Sequence, residues 1–480
     1  MRLEISERRL LLRSVDTAIA AFCAFGALLF WALLAGRPFD LALVQEQIAW
    51  VLLILIGWPI WLALNDMYVL RAAARTSLVV RRLLLGGIVL AIIYLGLFFI
   101  AARTPVTGAL PHVFGSLEAN SPPLRFAPIV AIGASTFLLA VWRLAYIRVL
   151  AGPHTRRRLI ILGAGRAGKT ICDALVQSHN PYFEVVGFID DDPAKQQAEI
   201  AGVPVLGPHE QMVAIAATAA IDEIVIAIST DVSGGVFQAV MDSYERGLAI
   251  TPMPLLYEQL TGRVAVEHIG SQWYVALPIE PQSGRAAQMV VKRTLDLVCS
   301  LLLGLLLLLL LPLVALAIRL DSAGPIFYRQ ERLGRHGQRF VVHKFRSMTT
   351  DAERDGTPRW ADSDDPRVTR VGRWLRRLRL DELPQVLNVV RGEMRMVGPR
   401  PERPEFIDQL QRDIPFYRTR LAARPGLTGW AQINYGYGSS VEDALIKLQY
   451  DLFYLKHQSL WFDIKILIRT IGVVLRMQGQ

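Results

Sequence analysis

Cysteine is scarce in this 480-residue chain, and the three present, Cys23, Cys172 and Cys299, lie far apart. They lack metal-ligand spacing and cannot pair evenly, which excludes a zinc module and a disulfide framework. His336, His343 and His457 have no ligand spacing either, and no chemistry is assigned to them. No basic stripe interleaved with aromatics appears, which argues against nucleic acid as the partner. The net charge of +10, from 52 Lys and Arg against 42 Asp and Glu, suits an anionic membrane face or phosphorylated substrates instead.

What the chain has in quantity is apolar sequence, 52% of residues. That content points to a membrane protein, and the length has room for about three domains. Four apolar runs lie near 15–35, 47–64, 83–102 and 127–149, each approaching the roughly 20 residues that span a bilayer as helix. The first is followed by others, so it reads as an anchor and not a cleaved signal. Arg2, Arg8, Arg9 and Arg13 precede the first run, Arg71, Arg75, Arg81 and Arg82 separate the second from the third, and Arg156, Arg157 and Arg158 follow the fourth. The positive-inside rule then places the N-terminus, the 65–82 loop and everything after 150 in the cytoplasm. No run shows an interior acidic residue, so residues 1–150 are expected to anchor and pack without transporting anything.

Residues 156–260 read as a Rossmann-like α/β domain. The apolar strand Arg158–Leu162 leads into Gly163-Ala164-Gly165-Arg166-Ala167-Gly168 and a helical pattern, a turn whose backbone N–H groups can face a phosphate. A second strand, 185–189, ends at Asp190, where such a unit meets a ribose hydroxyl. A third is expected at 223–228. Gly163, Gly165, Gly168 and Asp190 are therefore the candidate cofactor-binding residues. The segment has no Tyr-x-x-x-Lys pair, so hydride chemistry lacks its usual acid.

Residues 261–290 look like a linker. The run 297–318 is almost wholly apolar, with Lys292 and Arg293 before it and Arg319 after it. Hydropathy alone reads it as a fifth span. Positive charge on both sides, with Pro312 inside, points to a re-entrant helix over 291–320 that breaks near Leu311-Pro312 and returns. Residues 327–332 and 339–343 read as a hairpin, 351–370 as a charged loop, and 370–380 as an amphipathic helix. The C-terminal stretch 460–469 fits an amphipathic interfacial anchor or a helix packed on the core equally well.

The segment Trp374–Gln385 places Asp381 and Glu382 directly after a cluster of arginines, and Gly398-Pro399-Arg400-Pro401 follows it. Guanidinium forks match phosphate oxygens, so the two segments could grip a phosphorylated substrate beside a carboxylate pair. Such a carboxylate can be a nucleophile, a base or an Mg²⁺ ligand. Spacing alone favours an amphipathic surface helix with salt bridges.

From about Lys292 onward the chain resembles the bacterial polyprenyl-phosphate hexose-1-phosphate transferases, the monotopic phosphoglycosyl transferases. The resemblance is carried by Lys292-Arg293-Thr294-Leu295-Asp296, Gly324-Pro325-Ile326-Phe327, Lys344-Phe345-Arg346-Ser347-Met348, Asp365-Pro366-Arg367, Leu380-Asp381-Glu382-Leu383-Pro384-Gln385, Val397-Gly398-Pro399-Arg400-Pro401 and Arg424-Pro425-Gly426-Leu427-Thr428-Gly429-Trp430-Ala431-Gln432. It implies a membrane α/β protein: four N-terminal transmembrane helices, the Rossmann-like domain, a re-entrant helix, and a cytoplasmic monotopic α+β catalytic domain over 321–480. Family members often carry Ser before the proline of that helix, where this chain has Leu311.

The reaction implied is transfer of a hexose 1-phosphate from a UDP-sugar to undecaprenyl phosphate at the cytoplasmic face of the inner membrane, initiating polysaccharide synthesis. Asp381 aligns with the family nucleophile, and Glu382 is the candidate metal ligand or base, the pair holding Mg²⁺. Arg376 and Arg400, the latter framed by Pro399 and Pro401, are the candidate phosphate contacts. Lys344, Arg367 and Arg424 are weaker candidates, weighed against structural salt bridges, and Gln385 and Asn388 would orient the loop. The 156–260 segment resembles a nucleotide- or CoA-binding domain often fused ahead of these transferases, serving regulation, assembly or structure. A homodimer and downstream glycosyltransferases are the implied protein partners. The alternatives are a membrane-anchored nucleotide-sugar dehydratase or epimerase, and a nucleotide-sensing scaffold.

Overall fold

The computed structural model describes residues 5–103, 126–150, 156–177, 182–228, 233–268, 285–350, 352, 365–436, 438 and 440–475. The chain folds as two compact units, one of residues 1–160, 175–187 and 214–223, the other of 161–174, 188–213 and 224–480.

The first unit contains the four helices anticipated from the apolar runs: α1 (Ile5–Ala35), α2 (Ile48–Leu64), α3 (Thr76–Arg103) and α4 (Ala127–Leu150). Three of them are long and apolar enough to cross a membrane, whereas α2 has 17 residues. Trp58, Ile54, Leu83 and Leu139 are buried between them, and Trp58 Nε1 donates to Ser135 Oγ at 2.8 Å. One polar contact departs from expectation. Asp16 and Arg143 form an ion pair at 2.5 Å with both side chains wholly buried, and Arg143 Nη1 also donates to Met67 O. Asp16 stands at the margin of the first apolar run, but α1 begins ten residues before that run, at Ile5. Asp16 therefore lies several turns inside the helix, and its charge needs a partner.

The α/β segment forms a six-stranded sheet of order β3-β4-β2-β1-β5-β6. Its strands are β1 (Arg157–Leu162), β2 (Phe183–Ile189), β3 (Glu199–Ile200), β4 (Val203–Gly207), β5 (Glu223–Ile226) and β6 (Ala249–Pro252). Strand β1 feeds α5 (Arg166–Gln177) through the glycine turn. With β2 on one side of β1 and β5 on the other, that turn sits where strand order reverses, the usual ligand crevice of open α/β sheets.

Helices α6 (Gly234–Glu245) and α7 (Met253–Thr261) follow. The stretch read as a linker begins as packed chain. Val264 and Val266 join a buried cluster with Phe406, Ile407, Leu448 and Leu452, and Val264 N donates to Gln449 O at 3.1 Å. Trp430 Nε1 donates to Gly262 O at 3.0 Å, and Glu258 pairs with Lys456 at 2.8 Å. The rest of that linker, 269–284, lies outside the described residues, as do 351 and 353–364 of the charged loop.

Helix α8 runs from Arg285 to Asp321, 37 residues, with Pro312 inside it. The helix was expected to break at Leu311-Pro312, but it continues to Asp321. A proline costs one internal hydrogen bond and bends a helix without having to end it. At 1.5 Å per residue α8 follows a path of about 55 Å, and it is the fourth helix long and apolar enough to cross a membrane. Lys292, Asp296, Ser300, Leu303, Leu307, Leu311, Val314 and Ile318 recur every three or four residues on the better-buried face, a helical stripe. Leu301, Leu305, Leu308, Leu309, Leu313 and Leu316 are exposed.

Beyond α8, β7 (Phe327–Leu333) and β8 (Arg339–Phe345) form the expected antiparallel hairpin, pairing Phe327 with Phe345. Then come α9 (Arg370–Arg377), a 3-10 turn (Leu380–Gln385), α10 (Val386–Arg391) and β9 (Arg395–Val397). They are followed by α11 (Pro404–Asp413), β10 (Gly426–Thr428), α12 (Val441–Lys456) and α13 (Leu460–Leu475). Strands β9 and β10 are parallel, and Gly398 and Gly426 let the two backbones nearly touch. A Cβ on Gly398 would stand 2.4 Å from Arg424 O, and one on Gly426 would stand 2.1 Å from Gly398 N. Helix α13 packs on the core through Phe462 and Ile466, the second of the two readings open for it.

Replacing Asp16 with Ala strands the Arg143 charge and is expected to cost about 3–5 kcal/mol. Thermal unfolding of the detergent-solubilised protein should show the loss, and Asp16→Ala combined with Arg143→Met should recover most of it. An unchanged melting temperature in Asp16→Ala would refute the pairing.

Candidate active site

The site is built on the short turn between α9 and α10. Thr369 caps α9, its hydroxyl accepting from Gly372 N at 3.0 Å. The helix was expected to run to Leu380 but stops at Arg377, because Arg379 takes a left-handed backbone with φ 53°. That reversal starts the 3-10 turn, which buries Asp381 and Glu382 together. Asn388 ties the turn to the hairpin, donating to Val341 O and Glu393 Oε2 at 2.7 Å each and accepting from His343 N. Gln385 is buried in the same turn.

The two carboxylates have different surroundings. Glu382 Oε1 accepts from Lys344 Nζ at 2.9 Å and from Arg400 Nη2 at 2.6 Å. Burial alone would raise its pKa, but Arg400, Lys344 and Arg379 more than offset that and hold it well below the ordinary value. Asp381 has no ion pair within 4 Å among the described residues. Burial, then the neighbouring Glu382 charge, pushes its pKa up to about 6, against the pull of Lys344, Arg376 and Arg400. One carboxylate is thus fixed between two cations, and the other is left available for chemistry.

The Pro-Arg-Pro segment is held by its backbone. Arg332 Nη1 donates to Pro401 O at 3.2 Å, Arg420 Nη2 to Arg400 O at 3.1 Å, and Gly426 N to Pro399 O at 2.9 Å. Arg420 is itself buried and paired with Asp451 at 2.8 Å. Arg332, Arg379, Arg420 and Asp451 were not singled out in the sequence. Arg379 could have been, since it stands two residues before Asp381, but nothing local marks the other three.

Lys344 and Arg400 come together at Glu382, and Arg376 acts electrostatically on Asp381. Arg367 is engaged with Asp365, its Nε at 2.8 Å and Nη2 at 2.5 Å from the carboxylate. Arg424 faces Arg395, Arg335 and Arg293. At the glycine turn, Asp190 Oδ2 accepts from Ala164 N at 2.7 Å, and the carboxylate pairs with Lys195 at 3.2 Å. Asp190 is therefore engaged in fastening the turn itself. Gly165 has open space where a side chain would start, which leaves that backbone approachable.

A membrane protein with a buried carboxylate pair set among arginines and lysine has the build of an enzyme acting on phosphate esters. The chain belongs to the bacterial sugar transferase family, whose model matches residues 287–477. A CoA-binding domain model matches residues 129–254. The chain is 40% identical over 218 residues to the UDP-N-acetylgalactosamine-undecaprenyl-phosphate N-acetylgalactosaminephosphotransferase of Aeromonas hydrophila, covering 45% of this chain and 50% of the relative. It is 37% identical over 347 residues to the undecaprenyl-phosphate glucose phosphotransferase of Komagataeibacter xylinus, covering 70% and 63%. It is 34% identical over 321 residues to the UDP-glucose:undecaprenyl-phosphate glucose-1-phosphate transferase of Escherichia coli (strain K12), covering 66% and 68%. The chain thus spans half the length of the first relative and 63% of the second.

The opposite environments predict opposite substitution effects. Asp381 is raised from 3.8 to about 6, so the folded state holds its proton more tightly than the unfolded chain. Stability is therefore lost as pH rises from about 4 to about 6, and Asp381→Asn should stabilise the protein by about 2 kcal/mol at neutral pH. Glu382→Gln leaves Lys344 and Arg400 without their anion and should cost about 2–4 kcal/mol. Melting temperatures at pH 7.5 and pH 4 test both. Destabilisation by Asp381→Asn at pH 7.5 would contradict the assignment.

Proposed function

We propose that the chain transfers a hexose 1-phosphate from a UDP-sugar to undecaprenyl phosphate at the cytoplasmic face of the membrane, the step that initiates a surface polysaccharide. The carrying observation is the asymmetry of the pair: Glu382 is held by Lys344 and Arg400, and Asp381 is not held. An anionic diphosphate entering beside Glu382 meets Lys344, Arg376 and Arg400, all donors suited to phosphate oxygens. Asp381 attacks the sugar-bearing β-phosphorus, the P–O bond to the α-phosphate breaks, and UMP leaves. The resulting acyl phosphate carries the sugar phosphate until an oxygen of the lipid phosphate attacks the same phosphorus and frees the carboxylate. Splitting one displacement into two is the logic of covalent catalysis.

No group of three or more His, Cys, Asp or Glu side chains suited to a metal occurs among the described residues. Two adjacent carboxylates nevertheless fit Mg²⁺, which is commonly held by one or two carboxylates together with substrate phosphates. Asp381 and Glu382 would hold it, and when bound it would neutralise diphosphate charge. Glu382 also acts as a positioning residue, keeping Lys344 and Arg400 aimed at the site.

The contacts of α8 support this membrane arrangement. Its first turns bond to the catalytic domain, with Lys292 2.7 Å from Asp463 and Asp296 Oδ1 accepting from Met396 N. Its last turns do the same, Ile318 packing with Phe345 and Leu375 and Asp321 accepting from Val371 N. A helix carried through a bilayer could not return both ends to one domain, so this supports α8 lying embedded in the cytoplasmic leaflet.

Purified protein incubated with Mg²⁺, lipid phosphate and a panel of UDP-sugars should form a lipid-linked product with one donor. Asp381→Asn should lower kcat/KM by about 10³-fold or more, and the parent rate should rise with pH through about 6 as Asp381 ionises. Without lipid phosphate, the parent alone should release UMP and retain the sugar phosphate on the chain. Undiminished product from Asp381→Asn would remove it as nucleophile.

A further inference from the structure

We propose that Arg293 and Arg424, which border Gly392, together with Arg395 on the adjoining strand, bind the phosphate of an anionic membrane lipid at a site separate from Asp381. Arg293 on α8 is fixed in place, its Nη1 and Nη2 donating to Val389 O and Val390 O at 2.7 Å each and closing the C-terminal end of α10. The next residue after α10 is Gly392, φ 83°. Arg424 Nη1 and Arg293 Nη2 stand 3.9 and 4.0 Å from where a Cβ on Gly392 would be, so both guanidinium groups border one small gap. Arg395 lies on β9 opposite Gly426, two residues past Arg424. Arg335, whose Nε donates to Ala422 O at 3.2 Å, adds a fourth cation.

Among the described residues, the charge of this cluster is not balanced by ion pairs. Burial first, then Arg395, Arg335 and Arg293, hold the Arg424 guanidinium below its ordinary pKa. The carboxylate acting on it is Asp296, which is buried. Asp296 Oδ1 accepts from Met396 N at 3.0 Å, and its Oδ2 has no hydrogen-bond partner. Neither Arg395 nor Arg424 has an ion pair within 4 Å among the described residues. Converging guanidinium groups with an excess of positive charge match a phosphate oxygen set.

The surroundings select the source of that phosphate. Val290 and Val291 on α8, and Leu387 and Val390 on α10, are exposed apolar residues beside the arginines. Cations bordered by exposed apolar side chains describe a headgroup level with acyl chains next to it, not a site for a free ion. The charges that chiefly act on Asp381 and Glu382 are Lys344, Arg376, Arg379 and Arg400, none of which belongs to this cluster.

The test uses the full chain in a neutral detergent, titrated with phosphatidylglycerol, with bound lipid counted by native mass spectrometry. Arg395→Ser combined with Arg424→Ser should weaken one lipid-binding event about tenfold. Arg395→Ser alone should give a smaller loss, and Arg395→Lys should restore most of it. Diacylglycerol, which lacks the phosphate, should not compete, and neither should inorganic phosphate at equal concentration. Asp381→Asn must bind as the parent does, which separates this site from the transferase mechanism. Equal phosphatidylglycerol binding by the parent and Arg395→Ser would overturn the proposal, and so would displacement of the lipid by inorganic phosphate.

Discussion

The arrangement of the active site depends on one buried anion held between two cations. Glu382 sits between Lys344 of β8 and Arg400 of the Pro-Arg-Pro segment. Without that carboxylate, two positive charges would face each other in a dry pocket, and the strand and the loop that carry them would be driven apart. With it, both are aimed at the same small volume. Asp381, next in the chain and equally buried, is left with an unfavourable charge. A carboxylate kept unstable by its surroundings fits the proposed nucleophile, since activated groups commonly forgo stability.

Holding Arg400 in place is the task of a second buried network. Arg420 bonds to the Arg400 carbonyl and pairs with Asp451 on α12, while Tyr417 OH accepts from its guanidinium. Arg332 holds the next carbonyl, that of Pro401. Arg420 and Arg332 thus hold the backbone of the site in place. The glycines at 398 and 426 serve the same end, since only bare backbones allow β9 and β10 to approach so closely. Motifs that read as unrelated signatures in the sequence are thus opposite faces of one joint.

Legibility in the sequence followed the range of the interactions. The apolar runs, the hairpin and the glycine turn are local patterns, and each appeared close to where hydropathy and turn chemistry put it. Asp381, Glu382, Arg400 and Lys344 were found because the motifs resembled a family, whereas spacing alone left a plain surface helix open. What could not be read was long-range or depended on a backbone reversal. Arg420 and Asp451 have no sequence signal, since their meeting is a property of the tertiary fold. The early end of α9 follows from a left-handed Arg379, a conformation no propensity assigns to arginine. Asp190 had the right position for a ribose contact, but its carboxylate went to the nearer backbone N–H of Ala164.

Helix α8 shows what hydropathy alone leaves out. A run of leucines scores as a span whichever way it faces, because the scale counts residues and not faces. The better-buried face carries Lys292, Asp296 and Ser300 in its first half and Leu307, Leu311, Val314 and Ile318 in its second. Charged groups are used where the helix meets α13 and β9, and apolar ones where it meets α9 and β8. A helix meant to sit among lipid on all sides would have no use for Lys292 and Asp296 at helical spacing on one face. Their partners, Asp463 and the Met396 amide, belong to the domain that carries Asp381. The interaction that fastens the first half of α8 to that domain is therefore polar, directional and specific to one rotation of the helix. An apolar seam alone would leave that rotation undefined, and with it the position of Asp381 relative to α8.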